Sequence, residues 1–148
     1  MTTKSESVMK VLFLDVDGVL NTFKTGGLYT LTKTKLKLLQ EIVEATDCKI
    51  VLSSTWRKDD YAFRKLIKAL SYRGMTIMSK TPVIYSGPRG LEIANWIVEN
   101  GNVDRYAILD DNSDMLDNQL RNFFQTDGDY GLTKTIAHRI IQHLNTVT

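Results

Sequence analysis

The sequence predicts an α/β fold, an open, doubly wound parallel sheet with helices on both faces. Three observations predict it. Short, nearly continuous apolar runs recur along the chain, in "VLFLDV", "CKIVLSS" and "YAILDD", as suits strands buried on both faces. Between them lie stretches whose apolar residues repeat at helical spacing. Strands and helices alternate throughout, which implies parallel strands joined by right-handed crossovers.

The elements follow in order. Residues 10–16 read as the first strand, and "NTFKTGGLYT" (21–30), with its adjacent glycines, as a loop or flap. "LTKTKLKLLQEIVEATD" places Leu36, Leu39 and Val43 on one helical face beside Leu38 and Ile42, with Thr32 as its cap. "CKIVLSS" is the second strand. "DDYAFRKLIKALSYRG" is a helix through Phe63, Leu66, Ile67 and Leu70, capped by Asp59 or Asp60 and ended by Gly74. "MTIM" reads as the third strand and "KTPVIYSGPRG", which holds both prolines, as a loop. "LEIANWIVENG" is a helix with Leu91, Ala94, Ile97 and Val98 inward. "YAILDDNSD" is a fourth strand ending in acid and "FFQT" a fifth. The last helix, "GLTKTIAHRIIQHL", is capped at Thr133 and turns Ile136, Ile140 and Leu144 to the core.

Length and composition agree. The 148 residues, 43% apolar and 24% charged, suit one domain over residues 10–148 with a short disordered lead-in over 1–9. The net charge of +2 neither argues for nor excludes nucleic-acid binding. Cys48 is the single cysteine, so no internal disulfide forms, and it reads as a small core residue. No apolar run reaches the ~18 residues of a membrane span, and no signal-peptide pattern opens the chain. A cytoplasmic protein without membrane contact is the expectation.

Parallel strands gather their carboxyl ends at one edge, where such folds bind ligands. Here Asp15 and Asp17 end the first strand, Ser53 and Ser54 the second, and Asp110 and Asp111 the fourth, while Arg89 stands just before the helix that feeds the fourth strand. Alternation along a strand would point Asp15 and Asp17 the same way. Converging carboxylates call for a hard cation, and oxygen-only ligation suits Mg²⁺. His138 and His143 lie far from the acids in sequence and read as surface residues. A carboxylate nucleophile beside Mg²⁺ suits phosphoryl transfer. Ser53 and backbone N–H groups would hold phosphoryl oxygens, and Arg89 would offset their charge. Trp56 and Trp96 read as packing residues. Asp114 reads as a helix start or a further acid at the site.

These residues resemble the haloacid dehalogenase (HAD) superfamily, chiefly phosphatases that work through a phospho-aspartate. The first motif stands as "DVDGV", the second as "IVLSS", the third is matched by Arg89, and the fourth stands as "AILDD". More narrowly, "FLDVDGVLN", "VLSSTWR", "RGLEIANW" and "ILDD" are similar to the HAD domain of Swiss Army Knife RNA repair proteins. The resemblance implies a Rossmann-like core and a Mg²⁺-dependent phosphomonoesterase. Asp15 would be the nucleophile and Asp17 the general acid, then base. Asp15, the backbone carbonyl of Asp17 and Asp111 would hold Mg²⁺, with Asp110 binding it directly or supporting the shell. Ser53 would grip the phosphoryl group, helped by the backbone of Ser54. Lysine is usual at the third motif, so Lys80 rivals Arg89 there. Arg57 either faces the site or makes a salt bridge at a helix start.

The family usually selects substrates with an inserted cap, after the first motif or before the third. Residues 21–30 and 79–89 are too short for one, so the site is expected to be essentially capless. An open site admits a phosphate carried on something large, such as a nucleic-acid end, and also a nucleotide. Lys24, Arg57, Lys58 and Tyr61 near the rim favour an anionic polymer. The alternative is a phospho-accepting receiver-like signalling module without turnover. A receiver, however, carries its paired acids after the first strand and its acceptor after a middle one.

Overall fold

The computed structural model describes residues 9–24 and 30–146; residues 1–8 of the expected lead-in and the centre of the expected flap lie outside them, while Met9, expected in the lead-in, is hydrogen-bonded to Asp104. Five strands, β1 (Lys10–Leu14), β2 (Lys49–Leu52), β3 (Ile77–Lys80), β4 (Arg105–Asp110) and β5 (Phe123–Gln125), form one sheet in the order β3-β2-β1-β4-β5. Every pairing is parallel. The α-helices are α1 (Lys33–Thr46), α2 (Asp60–Ser71), α3 (Arg89–Asn100) and α4 (Lys134–Asn145).

The chain steps outward from β1 to β2 and β3, then crosses back over to β4 and β5. Right-handed crossovers running in opposite directions place their helices on opposite faces. Leu12, Leu14, Ile50, Leu52, Ala107 and Leu109 accordingly pack with residues of α1, α2 and α4, among them Leu39, Leu66 and Ile140. The alternate residues Val11, Phe13, Val51 and Ile108 pack with Ile93 and Trp96 of α3. Period-two alternation thus divides the core into two layers. The Phe13 and Trp96 rings meet edge to face, 5.5 Å between centroids.

Local chemistry fixes the helix ends. Asp59 accepts hydrogen bonds from Tyr61 N and Ala62 N at the start of α2, a cap worth about 1 kcal/mol. Thr133 accepts from Ile136 N at the start of α4. Thr32 stands at the α1 cap position, but its side chain makes no capping bond there.

Two apolar readings shift. The third strand lies at Ile77–Lys80 rather than over "MTIM". It is an edge strand held by pairing Ser79 and Lys80 with Val51 and Leu52, so its place is set by backbone register and not by an apolar run. In α3 the inward face is Ile93 and Trp96, with Ile97 partly buried, whereas Leu91 and Val98 are exposed. The helix is turned so that Glu92 is buried against Arg57 and Trp96 against Phe13.

Candidate active site

The sheet's hydrogen bonding runs one step past the strands. Asp15 N donates to Leu109 O, Ser53 N to Leu14 O and Thr126 N to Asp110 O, each at 3.0 Å. Asp15, Ser53 and Asp110 therefore keep the alternation of Phe13, Val51 and Ile108, whose side chains lie on the α3 face. Arg89, the first residue of α3, comes to meet them: its Nη1 lies 3.1 Å from Asp15 Oδ1 and 3.0 Å from Asp110 Oδ2. This is the point between β1 and β4 where the chain leaves in opposite directions, the usual ligand crevice of an open α/β sheet.

The charges there are out of balance. Carboxylate oxygens of Asp15, Asp110 and Asp111 all lie within 4.8 Å of one another. Burial, and then the charge of Asp110, push the pKa of Asp15 well above the ordinary carboxylate value, with Arg89 pulling it back. Burial raises Asp110 to about 6, and Arg89 opposes that rise. Burial alone would lower Arg89, but Asp110 and Asp15 outweigh it and its pKa rises. With all three carboxylates ionised, one guanidinium leaves two negative charges, which a divalent cation balances. The oxygen-only donor set fits Mg²⁺.

Two further features fit a phosphoryl ligand and a cation. Ser53 is fully buried, and its Oγ has no hydrogen-bond partner among the described residues. Such a hydroxyl is costly unless something binds it. Gly18, at φ +79°, leaves no room for a side chain, because a Cβ there would stand 2.7 Å from Asp111 Oδ2. Only glycine lets the first loop lie this close to Asp111.

The other expected residues separate. Asp17 does not join the carboxylate cluster. The strand ends at Leu14, so alternation does not carry to Asp17, and its Oδ1 instead accepts from Asn21 Nδ2 and Trp56 Nε1, both at 3.0 Å. Trp56 is buried but is more than packing. Ser54 Oγ caps the 3-10 helix Thr55–Lys58 through Trp56 N. Lys80 pairs with Leu52 and stands over the Phe63 ring at 4.3 Å, on the sheet face away from Asp15. Arg57 is a clasp and not a rim cation: it donates to the carbonyls of Ser53, Ser54, Thr81 and Pro82 and pairs with Glu92 at 2.8 Å. His138 is exposed as expected, whereas the partly buried His143 uses Nε2 on Tyr106 O and Asn122 Oδ1.

Sequence reasoning missed most of the supports. Asp114 Oδ2 accepts from Arg89 N, so it caps α3 from another segment. Thr126 Oγ1 donates to Gly18 O at 2.7 Å, and Gln125 Nε2 to Asp111 O. In sequence Asp114 reads as a helix start or a further acid at the site, and it caps a different helix from the one its position suggests; nothing local marked Thr126 or Gln125.

A five-stranded parallel sheet with this acid-lined crevice defines a domain of the haloacid dehalogenase superfamily. A family model described as "HAD domain in Swiss Army Knife RNA repair proteins" matches residues 11–137. The chain belongs to that family, which supports a phosphatase-type or related activity. No curated protein and no solved structure matches the chain. No helix among the described residues is long and apolar enough to cross a membrane.

Proposed function

We propose that the protein is a Mg²⁺-dependent phosphomonoesterase that works through a phospho-aspartate on Asp15. The observation that carries this reading is the company Asp15 keeps. It is a buried carboxylate held by Arg89, on the same sheet face as the orphaned Ser53 hydroxyl and clustered with Asp110 and Asp111.

In the first step an Asp15 carboxylate oxygen attacks phosphorus and the bond to the leaving oxygen breaks. Asp17 gives that oxygen its proton. In the second step the Asp17 carboxylate takes a proton from water, whose oxygen attacks phosphorus and breaks the bond to Asp15, releasing phosphate. The Ser53 hydroxyl donates to a phosphoryl oxygen, and the Arg89 guanidinium offsets charge on the transferring group. The Ser54 backbone assists in holding it. Asp15, Asp110, Asp111 and the Asp17 carbonyl would hold Mg²⁺. When bound, the ion supplies positive charge that keeps the carboxylates ionised and neutralises the phosphoryl oxygens.

The substrate we favour is a phosphate at a nucleic-acid end. The family description points to RNA repair, and the site edge carries cation–aromatic pairs. Lys24 Nζ stands 4.9 Å from the centre of the exposed Tyr130 ring, and Lys58 Nζ 5.8 Å from that of the exposed Tyr85. The first pair joins the loops after β1 and β5, the second those after β2 and β3. Both therefore lie at the strand carboxyl ends, where lysines meet phosphates and rings stack on bases.

The test is release of p-nitrophenol from its phosphate ester with Mg²⁺, then of phosphate from phosphorylated oligonucleotides and mononucleotides. Release beyond one equivalent is expected. A single equivalent would instead mark a stoichiometric phospho-acceptor. Equal kcat/KM on oligonucleotides and mononucleotides would remove the nucleic-acid reading alone.

A further inference from the structure

We infer that Trp56 and Asn21 are positioning residues that fix which oxygen of Asp17 carries the transferable proton. This rests on the reading of Asp17 as general acid. The indole Nε1 of Trp56 and the amide Nδ2 of Asn21 both donate to Asp17 Oδ1, at 3.0 Å each. An indole N–H only donates. The orientation of the Asn21 amide is set by its other contacts: Oδ1 accepts from Gly18 N at 2.9 Å, and Nδ2 also donates to Thr30 O at 3.0 Å. A flipped amide would set NH₂ against N–H and oxygen against carbonyl oxygen.

Oδ1 thus faces two donors. A hydroxyl on it would point its hydrogen at one of them, so protonated Asp17 carries its proton on Oδ2. The pair removes one of the two ways the acid can be protonated and holds the carboxyl plane in one orientation. Trp56 suits this work because it is rigid: it is 3% exposed, packed in the larger core layer, and its backbone N is tied to Ser54 Oγ. Asn21 is likewise buried, 6% exposed. The residues come from segments far apart in sequence, after β1 and after β2, and both reach Asp17.

A residue acting through a general acid leaves a signature in the leaving group. A p-nitrophenolate departs without much help, whereas an alkoxide needs the proton. General acid catalysis contributes typically ~10²–10⁴-fold. Trp56→Phe keeps a ring and removes the N–H. Its kcat/KM on an alkyl phosphate such as glycerol phosphate, which reads the first step alone, is expected to fall about 30–100-fold, while kcat/KM on p-nitrophenyl phosphate stays within about threefold. In an Asp17→Ala background the same substitution should add nothing, as expected for residues acting as a unit.

Should Trp56→Phe fail to fold, site-specific replacement of Trp56 by benzothienylalanine, which keeps the bicyclic shape and lacks the N–H, is read the same way. Equal losses of kcat/KM on both esters, or none on either, would overturn the positioning role and leave the phosphatase reading intact. Absence of turnover by the unsubstituted protein on both esters would instead overturn the phosphatase reading.

Discussion

Ser53 is where the smallest substitution should say most. Its buried hydroxyl has no hydrogen-bond partner among the described residues, so removing it frees the fold of an unmet polar group worth ~1–3 kcal/mol when buried. Ser53→Ala should leave stability unchanged or raised in urea titration, while kcat/KM on p-nitrophenyl phosphate falls about 10–100-fold. Asp15→Asn keeps the size of the side chain and removes the proposed nucleophile; turnover should drop by at least about 10³-fold, with an unchanged circular dichroism spectrum. Both residues were legible because they stand at the ends of apolar runs, where alternation still holds. The setting of Asp17 was not, since its partner Trp56 lies 39 positions away and no local pattern announces a tertiary hydrogen bond. Arg57 was ambiguous for the same reason. Its placement depends on four carbonyls and on Glu92, none of which composition reveals.

Helix α3 is the element that carries the charge balance, because its first residue bridges Asp15 and Asp110. Its second residue sets how closely it approaches. A Cβ on Gly90 would stand 2.7 Å from Leu116 N and 2.9 Å from Met115 Cα, and would also strike the Gln119 side chain. Gly90→Ala gains helix propensity, worth ~1 kcal/mol, yet must push α3 off its neighbours. We expect lower thermal stability and a loss of phosphate release close to that of Arg89→Ala, both read on the same protein preparation. Arg57 joins the ends of β2 and β3 to α3 through Glu92, with both side chains largely buried. Arg57→Met would leave a buried carboxylate unpaired and should cost about 3–5 kcal/mol by denaturant unfolding. The apolar spacing of "LEIANWIV" suggested a different inward face because it counts apolar residues alone, and Glu92 is buried. A buried, paired acid rotates the helix away from its hydrophobic pattern.

At the scale of the molecule the acid cluster should show as pH-dependent stability. Asp110 is raised from 3.8 to about 6 in the folded chain, and Asp15 is raised too, chiefly by burial. Between those values the folded state binds more protons than the unfolded one, so stability falls as pH rises through that window. With metal chelated, urea midpoints should therefore decline from pH 4 to pH 6. Asp110→Asn should flatten the decline, and Mg²⁺ should raise the midpoint most at the alkaline end. The sheet itself was legible, since strand–helix alternation and right-handed crossovers leave few other arrangements. What alternation could not convey was how unevenly the sheet is covered. Helices α1, α2 and α4 pack on one face, and among the described residues α3 is the sole α-helix on the other. A small opening that lifts α3 alone would carry off Arg89 while leaving the larger layer closed. Amide exchange in α3 should then run ahead of that in β1, and mild denaturant should abolish the proposed phosphate release before the fold melts.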